Sequence, residues 1–167
     1  MRLIQATKRE IEMKDTSMKP RTAVEAAWLA RLIAAAERGN GRAACAIGDR
    51  YRQGRGVRYS PRQAYHWYSR SALAGYADGQ SNLGACYEHG FGCQQSYPKA
   101  VMWYGRAAAN QGATAMMNLG SCYRLGHGVS ADRTEALRLF RLALEHSEAR
   151  AAEEIVRLGE PVTPISR

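Results

Sequence analysis

Cys86-x-x-His89-x-x-x-Cys93 puts two thiols and an imidazole within one short stretch of chain. Thiolate and imidazole are the usual ligands of zinc, and a thiol beside an imidazole is the minimal nucleophile–base pair. Overlapping this group is Asn82–Gly92, NLGACYEHGFG, which holds Gly84, Gly90 and Gly92. Such a glycine-rich run could cradle a phosphate, but a Walker-type loop needs Lys-Ser/Thr after its last glycine and a strand before it. The residues after Gly92 are Cys-Gln-Gln. A third chemistry is cationic. The chain carries +9, and residues 40–75 hold seven arginines (Arg42, Arg50, Arg52, Arg55, Arg58, Arg62, Arg70) against Asp49. That window could meet an acidic partner or nucleic acid, or be a solvated face.

Which chemistry is real depends on the elements that position these residues, and those elements repeat. AIGDRYRQGRGV (46–57) and NLGSCYRLGHGV (118–129) match the glycine run at a constant step. Gly48, Gly84 and Gly120 lie 36 apart, as do Tyr51, Tyr87 and Tyr123, Gly54, Gly90 and Gly126, and Gly56, Gly92 and Gly128. A second segment keeps the step: Ala64, Ala100 and Ala136 align, Trp67 and Trp103 align with Leu139, and Tyr68 and Tyr104 with Phe140. Ser60, Ser96 and Asp132 precede it as N-cap residues, with Pro61 and Pro98 in the first turn. Each repeat therefore reads as helix, Gly-x-Gly loop, helix. A glycine within a helix costs ~1 kcal/mol against alanine, so Gly48, Gly84 and Gly120 imply that another helix approaches closely there. The glycines of the opening run are structural punctuation.

The period weakens the metal reading. Cys86 shares its slot with Arg50 and Cys122, and Cys93 shares one with Val57 and Val129. His66, His89, His127 and His146 fall at unrelated repeat positions. The expectation is reduced, structural cysteines, with no catalytic residue, no cofactor and no metal. A metal-dependent or catalytic module on Cys86, His89 and Cys93 stays as the alternative, and weak nucleic-acid binding through the arginines as another. Trp67, Tyr65 and Tyr68 lie on the core pattern and need not be stacking platforms.

These motifs resemble the Sel-one-like repeat family, relatives of the tetratricopeptide repeats, over about residues 30–147. Leu83-Gly84, Tyr87, Gly90 and Gly92 carry the first half of its pattern in the middle repeat, and Ala100, Trp103, Tyr104, Arg106, Ala107 and Ala108 the second. Cys93, Leu139-Phe140 and Leu142 depart from it, and the hinge glycine before the third repeat is shifted by one residue. The resemblance implies an all-α, right-handed α/α superhelical solenoid of about three 36-residue helix–loop–helix repeats plus flanking helices. We expect repeats at 40–75, 76–111 and 112–147, a leading helix at 22–38 and a capping helix at 148–158. Outside this 22–159 solenoid lie a polar, basic tail, 1–21, which is disordered or docks on a partner, and a C-terminal tail, 160–167.

The resemblance also implies a concave face lined by the first helix of each repeat. Positions off the Leu-Gly-Tyr stripe should point there: Arg42, Cys45, Asp49, Arg52 and Gln53, then Ser81, Asn82, Ala85, Glu88 and His89, then Met117, Asn118, Ser121 and Arg124. Asn82 and Asn118 share a slot, and asparagine can hold an extended peptide backbone through both donor and acceptor. Phe91, between two loop glycines, could anchor a partner. The expected function is a non-enzymatic scaffold or adaptor that binds a protein or peptide, of acidic character, in the groove. A bacterial regulatory, chaperone-like or effector role fits it. No stretch approaches the 18 apolar residues of a membrane span, and the start, MRLIQATKREIEMKD, lacks a secretory apolar region. The expected location is cytoplasmic, with specialised secretion left open, and the oligomeric state is undetermined.

Overall fold

The structure, a computed structural model, describes residues 23–162. The 1–21 tail and residues 163–167 lie outside them. Eight helices follow one another: α1 (Ala23–Glu37), α2 (Gly41–Gln53), α3 (Pro61–Leu73), α4 (Ala77–His89), α5 (Tyr97–Ala109), α6 (Ala113–Leu125), α7 (Arg133–Glu145) and α8 (Ala151–Arg157). Among the described residues there is no strand. The pairs α2/α3, α4/α5 and α6/α7 are the three repeats, each helix 13 residues long.

Local chemistry sets the ends. Ser60 Oγ accepts from the backbone N–H of Gln63 at 3.3 Å, and Asp132 Oδ1 from that of Glu135 at 3.0 Å. Each fills one of the donors a helix start leaves open. Ser96 has the extended backbone of a cap but makes no such bond. Asn40, which the sequence reading had not singled out, caps α2 at 2.9 Å through Ala43 N–H. The first helices stop at Gly54, Gly90 and Gly126, all left-handed, with φ of 66°, 66° and 71°. Their N–H groups return to the carbonyls of Arg50, Cys86 and Cys122.

Within each repeat an aromatic ring seats in a glycine. A Cβ added to Gly48 would lie 2.6 Å from the Tyr68 ring, at Gly84 2.6 Å from Tyr104, and at Gly120 2.7 Å from Phe140. The close approach expected at these glycines is made by a side chain of the second helix rather than by its backbone. All three rings are fully buried. Buried Ser71 donates to the Gly41 carbonyl of its own repeat at 2.7 Å and fills the space over Gly79 of the next, where a Cβ would sit 1.9 Å from its Oγ.

Each helix packs on the next along the chain and buries an apolar stripe against its neighbours. Across repeats, α2 also touches α4 and α4 touches α6, more closely than the second helices touch one another. The stack therefore curves with the first helices inside. At the far end, α8 lays Ala151 and Ile155 into the core beside Phe140 and Ala143. The hinge differs as its shifted glycine implied. Gln111 and Ser147 hold the left-handed conformation (φ 61° and 71°) that Gly39 and Gly75 hold at the earlier hinges.

Candidate partner-binding groove

The inside of the curve holds a cavity of about 630 Å³. α2 contributes Arg42, Cys45 and Asp49, and α4 with its preceding residue contributes Tyr76, Asp78, Ser81 and Asn82. The start of α6 closes the far side with Gln111 and Thr114. Asn82 Nδ2 donates to Cys45 Sγ at 3.4 Å, tying the second repeat to the first across the floor. Its carboxamide oxygen makes no hydrogen bond among the described residues. Burial and the nearby Asp49 carboxylate push the Cys45 thiol up to about 11, so it stands in the groove protonated. The tyrosine at the rim, Tyr76, is also raised, first by its hydrogen bond to Asp78.

Of the fourteen residues expected on the concave face, Arg42, Cys45, Asp49, Ser81 and Asn82 line this cavity. The others are placed elsewhere, for physical reasons. Tyr68, seated over Gly48, must satisfy a buried hydroxyl. It donates to Asp49 Oδ1 at 2.8 Å and accepts from Arg52 Nε at 3.0 Å. Tyr104 solves the same problem with Glu88, donating to its Oε2 at 2.6 Å. Burial first, and the carboxylate partner next, push both phenols well above their ordinary range. Arg52 and Glu88 thus occupy one repeat slot and serve one task. Arg124, in the same slot, faces Phe140, which has no hydroxyl, and is aimed instead at Glu154 of α8. Arg124 Nε and Glu154 Oε2 lie 3.1 Å apart, close but misaligned, and neither buried atom has another hydrogen-bond partner. Gln53 is exposed and accepts from Arg55 at 3.4 Å. The His89 side chain is 70% exposed, 4.0 Å from Glu88. Asn118 is half-buried away from the cavity, and Ser121 bonds back to the Met117 carbonyl at 3.2 Å. Sequence reasoning missed Tyr76, Asp78, Gln111 and Thr114. They sit at helix starts, outside the stripe geometry used to assign the face.

The candidate metal group does not assemble. Cys86 is buried, Cys93 is half-buried with its thiol on the Cys86 carbonyl at 3.4 Å, and His89 points to solvent. Among the described residues no three His, Cys, Asp or Glu side chains gather to hold an ion. Burial pushes the thiols of Cys86 and Cys122 up to about 12, the reverse of what an activated nucleophile requires. No helix among the described residues is long and apolar enough to cross a membrane.

Residues 41–76, 77–111 and 113–147 each match the family model of the Sel1 repeat. The chain is similar in structure to a protective antigen present in uropathogenic Escherichia coli strains displaying an SLR fold. The two share 36% identity at a TM-score of 0.72, over 76% of this chain and 27% of that one. A Sel1 repeat protein from Oxalobacter formigenes is 37% identical at a TM-score of 0.67, over 71% of this chain and 47% of that one. Helicobacter pylori cysteine rich protein B, 19% identical at a TM-score of 0.59 over 75% of this chain and 96% of that one, shares the fold. The chain thus spans less than half the length of the first two. No curated protein matches it.

Proposed function

Because the chain belongs to the Sel1 repeat family, whose repeats form a non-catalytic scaffold and generally mediate protein–protein interaction, we propose that it is a bacterial adaptor or chaperone-like regulator. It holds an extended segment of a protein partner in the groove of α2, α4 and α6. The observation that carries this reading is the groove itself. It crosses the first helices of all three repeats, and Asn82 on its floor keeps a carboxamide oxygen open to a backbone N–H. Arg42, Asp49, Asp78 and Asn82 line it beside Cys45 and Tyr76, a mixed lining that suits a peptide better than a compact apolar ligand. The arginine excess of the first repeat gives the partner acidic character, while Arg42 shares the groove with Asp49 and Asp78, so the groove takes the segment's backbone rather than its carboxylates.

Site-specific photo-crosslinking tests the site. A benzoylphenylalanine at Asp78, exposed in the groove, should crosslink a discrete partner protein in bacterial extract. The same group at Leu73, 77% exposed and outside the groove, should not. Equal crosslinking from both positions would remove the groove from the account.

A further inference from the structure

Framework residues of this stack recur every 36 positions, and one exposed group does not. The loop after α2 and the first turn of α3 carry Arg55, Arg58, Tyr59 and Arg62. The matching positions of the second and third repeats, 91, 94, 95 and 98 and then 127, 130, 131 and 134, hold no lysine or arginine. A residue that the packing needs returns with the packing, so the fold does not require this group. Nor is it neutralised within the molecule. Arg58 and Arg62 are exposed and make no ion pair or hydrogen bond among the described residues, and the Arg55 side chain reaches only Gln53, at 3.4 Å. No aspartate or glutamate lies between Asp49 and Asp78.

An aromatic pair sits among these cations. Tyr59 is 57% exposed, and its ring stands edge-on to Phe91 of the next loop, with centroids 6.4 Å apart. The loop carrying Phe91 is held there by Gly92, where a Cβ would lie 2.1 Å from the Pro61 carbonyl oxygen. Two rings and three unpaired guanidinium groups thus share the loop edge of the first repeat, built from two successive loops.

We infer that this loop edge is a docking surface for an acidic peptide segment that carries an aromatic or large apolar side chain. The arginines take its carboxylates in forked contacts, and the Tyr59–Phe91 pair takes the ring. The inference rests on the scaffold reading but places acid recognition outside the groove, where Arg42 faces Asp49 and Asp78 and gives no cationic surplus. Farther along this edge the cations thin to Lys99, which lies over the Tyr87 ring, and Arg133, which is paired with Glu160. A nucleic-acid backbone would need them to continue along the edge, so a short acidic segment is the better fit.

The test uses the full chain and three labelled probes: a short Asp/Glu-rich peptide with one central tryptophan, its Asn/Gln counterpart, and oligo-dT of similar length. Anisotropy should show the acidic peptide binding about tenfold or more tighter than its amide counterpart, with affinity falling as salt rises. Arg55→Glu/Arg58→Glu/Arg62→Glu should lose that advantage, and Tyr59→Ser should weaken binding severalfold. Arg42→Glu, in the groove, should leave it within a small factor. An unchanged melting temperature for the triple variant checks that it folds. Equal binding of the two peptides, retention in the triple variant, or loss confined to Arg42→Glu would overturn the inference. Tighter binding of oligo-dT would replace it with a nucleic-acid surface. Crosslinking from Asp78 reads the groove separately, so either surface can fail alone.

Discussion

The first and third repeats share one frame and fill it differently. In the first, Tyr68 occupies the glycine socket, its hydroxyl held by Asp49 and Arg52, while the Arg70 guanidinium lies 4.8 Å from the centre of the Trp67 ring. The second repeat keeps both devices, with Tyr104 on Glu88 and Arg106 at 4.7 Å from the Trp103 ring. In the third, the matching positions are Phe140, Leu139 and Leu142. Every polar attachment goes at once. Phe140 still seats in Gly120, and Leu139 is still buried. Ring-in-glycine packing is therefore the invariant of the stack, and the hydroxyl and guanidinium are additions to it. Losing them frees Arg124 to face Glu154 on the terminal helix.

Emptying the sockets is the severest way to break the comparison. Tyr104→Ala and Phe140→Ala should each cost about 4 kcal/mol in urea unfolding, because truncating a buried ring loses transfer energy and leaves a void. A large gap between the two would mean that the hydroxyl, not the ring, does most of the holding. Overfilling is next: Gly48→Ala and Gly120→Ala should each cost about 2 kcal/mol, overpacking outweighing the better helix propensity of alanine.

The polar additions come after that. Tyr104→Phe should cost about 1.5 kcal/mol, since it removes a hydrogen bond to a carboxylate and leaves Glu88 partly buried without it. The same variant has a signature in pH. Tyr68 and Tyr104 hold their protons in the fold well past the ordinary phenol range. As pH rises above about 10 the unfolded chain gives up those protons first, so stability falls there. That alkaline loss should be shallower in Tyr104→Phe, and Phe140→Leu should leave it unchanged. Smallest of all, Ser147→Gly at the strained hinge should gain about 0.5 kcal/mol, because glycine takes positive φ without a Cβ penalty.

The framework was legible because it is repeated. Gly84, Tyr87, Gly90 and Ala100 announce their places by returning at a fixed step, and a socketed ring has the same size wherever it recurs. The site was only partly legible. Arg42, Cys45, Asp49, Ser81 and Asn82 could be placed once the resemblance put the first helices inside the curve and helix geometry set their facing. Arg52 and Glu88 could not, because their use depends on where a hydroxyl from another helix ends up. A slot holding arginine in one repeat and glutamate in the next conceals one shared role. Tyr76, Gln111 and Thr114 escaped for a different reason: curvature brings helix starts to the groove, and curvature is a property of the stack, not of any one helix.

A double-mutant cycle between Gly84 and Tyr104 probes the socket most directly. If the ring seated in the glycine locks each repeat, Gly84→Ala should cost about 2 kcal/mol in the wild-type background and nothing, or a slight gain, once Tyr104→Ala has emptied the socket. An equal cost in both backgrounds would contradict the account, since the glycine would then be serving something other than the ring.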